Sequence, residues 1–193
     1  AGSGYPDEPV ELRNTFAEYL TGPAPEAKPG KVLGIAAPHV SPFGGIDAYR
    51  AAYSCITPED ADRTIVILGT SHYGYPSRLG LTRKAFHTPY GVTEPALDLI
   101  DEIERKAPNS VLMEDYCHAI EHSIEFQVVF LQHLRGPRIR VLPILCGSYF
   151  QSIEHGGLPE DDPAVERALG TLGEIASREG DRLLWVQIGR AHV

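Results

Sequence analysis

Three short apolar runs constrain what this chain can fold into. They are Val32-Leu33-Gly34-Ile35-Ala36-Ala37, Thr64-Ile65-Val66-Ile67-Leu68-Gly69 and Leu183-Leu184-Trp185-Val186-Gln187-Ile188. Each is short, and the second, rich in β-branched side chains, is the clearest strand in the chain. Ile139 to Leu145 reads as another strand and Leu79 to Thr82 as a short edge strand. Between them lie segments with helical spacing. Pro9 to Leu20 carries Leu12, Phe16, Tyr19 and Leu20, and Ile46 to Ile56 carries Tyr49, Ala52 and Tyr53. Glu94 to Lys106 has Leu97, Ile100 and Ile103 as its apolar stripe, with Pro95 in the first turn. His118 to Leu134 is a longer helix whose second half is apolar nearly all round, stopped by Gly136-Pro137. Ala164 to Arg178 is amphipathic. Strand and helix alternate, which predicts an α/β domain of three layers, a mainly parallel sheet with helices on both faces. Gly22-Pro23-Ala24-Pro25 and Lys28-Pro29-Gly30 form the loop into the first strand.

Each of the three runs is followed by a histidine: His39, His72 and His192. If the runs are parallel strands of one sheet, the three imidazoles emerge at its carboxyl edge, where open α/β sheets bind ligands. Neutral imidazole is a good transition-metal ligand, and a strand end holds it rigidly. Cys146 also follows a strand and reads as a fourth ligand, a redox thiol or, most simply, a small buried residue.

The composition narrows the function classes. A net charge of −9 over 193 residues argues against a generic nucleic-acid or anionic-membrane surface. Three cysteines, Cys55, Cys117 and Cys146, show no close pairing and fit a reducing compartment. No stretch approaches a membrane span and no signal-peptide pattern opens the chain, so a cytoplasmic protein is expected. The G-x-S-x-G elbow, the G-x-x-x-x-G-K-[ST] loop and G-x-G-x-x-G are absent from the sequence, which weakens serine-hydrolase and nucleotide-binding readings.

Two further constellations sit at the start of the long helix. His118-Ala119-Ile120-Glu121-His122 matches H-x-x-E-H, in which two histidines on one helical face bind zinc and the glutamate polarises water. It needs a third ligand, such as Glu174 or Glu179. Glu121, His122 and Glu125 also form a carboxylate–imidazole group suited to acid–base work or to orienting a ligand, although acidic residues in a first helical turn also serve the helix dipole.

Five motifs occur in an order that resembles the Memo-like family, including system protein B of the AmmeMemoRadiSam set. They are Ala37-Pro38-His39, Val66-Ile67-Leu68-Gly69-Thr70-Ser71-His72, Phe86-His87-Thr88-Pro89-Tyr90-Gly91, Glu121-His122-Ser123-Ile124-Glu125 and Leu142-Pro143-Ile144. The resemblance runs from about Val32 to the chain end. It implies a fold related to class III extradiol ring-cleavage dioxygenases and a pocket that binds iron or copper, with zinc as an alternative. By resemblance, His39, His72 and His192 are the metal ligands, and His122 with Glu121 or Glu125 is the acid–base or supporting group. The family's acidic residue three positions before the third histidine is Gly189 here. The family's C-G-R segment, with its pocket cysteine, would fall beyond Val193. The resemblance thus implies a single domain over 1–193 that lacks its C-terminal part.

Three readings follow. The first is a non-haem metal-dependent oxidoreductase or dioxygenase-like enzyme acting on a small organic substrate. The second is a zinc hydrolase using His118, Glu121 and His122. The third is a non-enzymatic module that binds a peptide or protein. Family resemblance adds AMMECR1-like and radical-SAM proteins as partners, with no nucleic acid and no membrane.

Overall fold

The computed structural model describes residues 2–25, 30–57, 60, 62–75 and 77–189; residues 26–29 of the predicted loop, and His192, lie outside the described residues. In chain order the elements are α1 (Pro9–Leu20), β1 (Gly34–Pro38), α2 (Ile46–Tyr53), β2 (Thr64–Thr70), β3 (Leu79–Leu81), β4 (His87–Thr88), β5 (Gly91–Val92) and β6 (Glu94–Pro95). They continue with α3 (Leu97–Lys106), β7 (Val111–Met113), α4 (Asp115–Ile120), α5 (Ser123–Arg135), β8 (Arg140–Cys146), α6 (Phe150–Glu154), α7 (Pro163–Glu179) and β9 (Leu183–Gly189).

The central sheet runs β1-β9-β2-β8-β3-β7, with β6 alongside the start of β8. All its pairings are parallel except β3 with β8. One edge of β8 is shared: Arg140 and Val141 face β6, while Ile144 to Cys146 face β3. Pro143 falls in the gap between those two registers, where its missing N–H costs the ladder nothing on that side.

Strand alternation sends side chains to two cores. Ile65 and Ile67 of β2 enter one with Leu12 and Phe16 of α1, Tyr49 and Tyr53 of α2, and Phe130 of α5. Val66 and Leu68 enter the other with Ile100 and Ile103 of α3 and Leu172 and Ile175 of α7. The result is the three-layer α/β arrangement that the alternation of elements predicts. Phe130 is fully buried and lies nearly parallel to Tyr49 and Tyr53, with ring centroids 4.3 and 5.0 Å away. Its ring is also 4.4 Å from Phe16, so α1, α2 and α5 meet on one side chain.

Three expectations need correction. The single helix over His118–Leu134 is two helices, α4 and α5, broken where Glu121 adopts an extended conformation (φ −83°, ψ 134°). The Glu121 carboxylate takes the N–H groups of His122 and Ser123, at 2.9 and 3.2 Å, and so caps the start of α5. Glu94 and Pro95 do not open α3; they pair with β8, where Glu94 and Ala96 N–H donate to the Ile139 and Val141 carbonyls at 2.8 and 2.9 Å. Leu79–Leu81 is not an edge strand, because β7 continues the sheet beyond it. Among the described residues no helix is long and apolar enough to cross a membrane.

Candidate metal centre

Both β1 and β2 pair in parallel with β9, so His39 and His72 leave the sheet at the same edge. Their loops are held by side chains from the helices above. The Tyr49 hydroxyl of α2 donates to the carbonyls of Pro38 (3.2 Å) and Val40 (2.9 Å), on either side of His39. Gln127 of α5 donates to the Pro38 carbonyl as well, at 3.2 Å. Around His72, the Ser123 hydroxyl donates to the Thr70 carbonyl at 3.0 Å and Ser71 N–H to the Cys146 carbonyl at 2.9 Å. Gly69 is required here: a Cβ on it would stand 2.4 Å from Cγ1 of Ile124. The segments Gly69–His72 and Glu121–Glu125 therefore dock directly on each other.

Docking brings His122 beside the two strand-end histidines, and the three rings form a triangle. Ring centroids are 4.8 Å apart for His39 and His72, 5.0 Å for His39 and His122, and 5.4 Å for His72 and His122. Glu121 lies beneath them, its side chain only 1% exposed, while those of His72 and His122 are 27% and 46% exposed. Its Oε2 accepts from His72 Nδ1 at 2.8 Å and from the His72 backbone N–H at 3.0 Å. Burial raises the Glu121 carboxyl, but the hydrogen bonds from His72 and Ser123 outweigh it, and the net shift is downward. An ionised carboxylate only accepts, so His72 carries a hydrogen on Nδ1, and the neutral ring has its lone pair on Nε2. Ligand atoms of His72, Glu121 and His122 all lie within 4.8 Å of one another, a group that could hold a metal ion.

The other candidates stand elsewhere. Glu125 accepts from the Tyr5 hydroxyl and lines a cavity with His118. His118 is buried with Nε2 3.1 Å from the Gly80 carbonyl. The break at Glu121 takes His118 and His122 off a common helical face, which removes the arrangement the H-x-x-E-H zinc reading requires. Glu174 and Glu179, offered as its third ligand, are engaged by Lys106 and by Arg178 and Arg182. Burial pushes the Cys146 thiol up to about 12, leaving it protonated and unreactive near neutrality. Sequence reasoning did not find Tyr49 and Gln127 as supports for His39. The available signal was Gln127 itself, a polar residue inside the apolar run of α5, now fully buried and hydrogen-bonded to Tyr53 at 2.8 Å.

A MEMO1 family protein of Aquifex aeolicus is 30% identical over 145 residues, covering 75% of this chain and 37% of the relative. One from Methanopyrus kandleri is 34% identical over 154 residues (75% and 53%), and one from Methanococcoides burtonii 30% over 186 (96% and 63%). The chain thus spans roughly one to two thirds of the length of these relatives. Residues 1–155 match the family described as Memo-like protein. That span contains His39, His72, Glu121 and His122, and with it matched this chain belongs to the Memo-like family.

Proposed function

We propose that His39, His72 and His122 hold one redox-active non-haem metal ion, iron or copper, and that the protein is an oxidoreductase acting on a small organic substrate. The observation that carries this reading is the convergence of three imidazole rings above one buried, ionised carboxylate. Three imidazole donors suit iron, copper and zinc better than calcium or magnesium. A redox metal bound there would supply electron transfer and polarise an oxygen atom of the substrate.

The chain's own residues prepare the site. Glu121 fixes the His72 tautomer and, through the His122 N–H, the backbone that carries the third ring. Tyr49 and Gln127 hold the carbonyl before His39. The exposed ring of Tyr73, 6.2 Å from that of His72, offers a flat apolar surface to an organic substrate at the open side.

Purified protein should carry, or take up on titration, about one iron or copper per chain, measured by elemental analysis. His39→Ala and His72→Ala should lose it. Glu121→Gln should weaken the affinity by about 10- to 100-fold, as removal of a ligand's orienting partner does. His118→Gln should leave it intact, the opposite of what a zinc site at His118 requires. Less than about a tenth of an equivalent as isolated, with none taken up, sinks the proposal.

A further inference from the structure

His122 is the most exposed ring whose place in the cluster a helix sets. Glu121 fixes its backbone, and the same carboxylate lies 3.4 Å from its Nδ1, but the side chain is 46% exposed at the start of α5. A histidine side chain has three staggered wells about χ1, and the one observed turns the ring toward His39 and His72. Phe126, one turn on, supplies a wall from outside the cluster. Its N–H donates to the His122 carbonyl at 3.1 Å, which puts both side chains on one helical face. The two ring centroids are 5.4 Å apart, with 57° between the planes. Phe126 is 8% exposed and belongs to the same core as Phe130.

The segment before α1 packs on Phe126 in turn. Tyr5 is 6% exposed and meets Phe126 edge-on, with centroids 6.2 Å apart and 78° between the planes. Its hydroxyl donates to Glu125, the neighbour of Phe126 on α5 and 120 positions away in sequence. Burial and that carboxylate raise the Tyr5 hydroxyl well above the ordinary tyrosine range, so it stays a donor. The main chain joins in, because a Cβ on Gly4 would stand 2.7 Å from Cε1 of Phe126 and 2.9 Å from its Cζ. Gly2 N–H donates to the Tyr5 carbonyl at 2.8 Å, which folds the segment back on itself.

We propose that Tyr5 is a positioning residue for the metal centre: its ring edge, with the Gly4 backbone, holds Phe126 against His122, and Phe126 holds the His122 ring toward His39 and His72. This rests on the reading of His122 as a ligand. Tyr49, Gln127 and Ser123 hold the loops of the first two histidines. The third is thus set by a separate set of contacts, reached from a segment outside the sheet.

NMR of the His122 side chain in metal-free protein tests the positioning, and anaerobic iron(II) titration tests its effect. The χ1 couplings of the parent protein should report one rotamer. Tyr5→Ala should spread His122 over its wells. Apparent affinity scales with the competent fraction, so equal population of three wells weakens iron(II) binding by about threefold. Phe126→Leu should act in the same direction, whereas Tyr5→Phe, which keeps the edge-on ring, should keep the single rotamer. If Tyr5→Ala does not fold, Tyr5→Leu, which fills the space without a flat ring, carries the test. An unchanged His122 rotamer in a folded Tyr5→Ala or Tyr5→Leu protein overturns the proposal, as does averaging in Tyr5→Phe equal to that in Tyr5→Ala. A parent protein that takes up no iron(II) counts against the metal reading instead, while the His122 rotamer still decides the role of Tyr5.

Discussion

Phe130→Ala should lower the unfolding free energy by about 3–5 kcal/mol, measured by urea denaturation. The ring is fully buried and touches Phe16, Tyr49 and Tyr53, one on α1 and two on α2, so its removal opens a cavity where three helices join. These neighbours are large, rigid rings that collapse poorly into the space, which places the expected loss in the range seen for aromatic truncation rather than at the cost of a lost methyl group. Against a typical total of about 5–15 kcal/mol, that is a large fraction. The same change should reach the histidine cluster, because Tyr49 packs on Phe130 and also holds the carbonyls on either side of His39. A loss below about 1 kcal/mol would show that the stack is not the junction described here.

Acidification should destabilise the protein by about 3 kcal/mol through His118 alone, between about pH 6.5 and pH 4. Burial lowers this imidazole from its ordinary 6.5 to about 4, only partly opposed by the Gly80 carbonyl and by Asp115 and Glu121. The folded state therefore binds the proton less readily than the unfolded chain does. The stability contributed by keeping His118 neutral is fully present above about pH 6.5 and is lost as the pH falls toward 4. His133, also lowered by burial and then by Arg13, adds to the slope in the same direction. His118→Gln cannot titrate but can still donate to the Gly80 carbonyl, so its unfolding free energy should be flatter across this window. Equal slopes in the parent and this variant would contradict the assignment.

Much of the fold was legible because periodicity and burial coincide. Thr64–Thr70 is fully or nearly buried on both faces, as its unbroken apolar run demanded. Pro9–Leu20 begins at its proline and ends where the apolar spacing stops. The misreadings are local choices settled by distant partners. Glu94-Pro95 has the composition of a helix start but is taken by the free edge of β8. His118–Leu134 has continuous helical periodicity, yet Glu121 leaves the helix to accept from His72, 49 residues away in sequence.

The candidate site divides along the same line. Sequence alone determined that His39 and His72 follow apolar strands and that His122 sits beside two carboxylates, because strand ends and motif spacing are one-dimensional facts. Only the tertiary structure decided that His122 joins His39 and His72, that Glu121 underlies them, and that Glu125 turns to Tyr5. The reason is that Gly69 lacks a side chain, which lets Ile124 and Ser123 approach and sets the Glu121–Glu125 segment against the end of β2. That contact joins residues more than fifty positions apart, which no local pattern encodes.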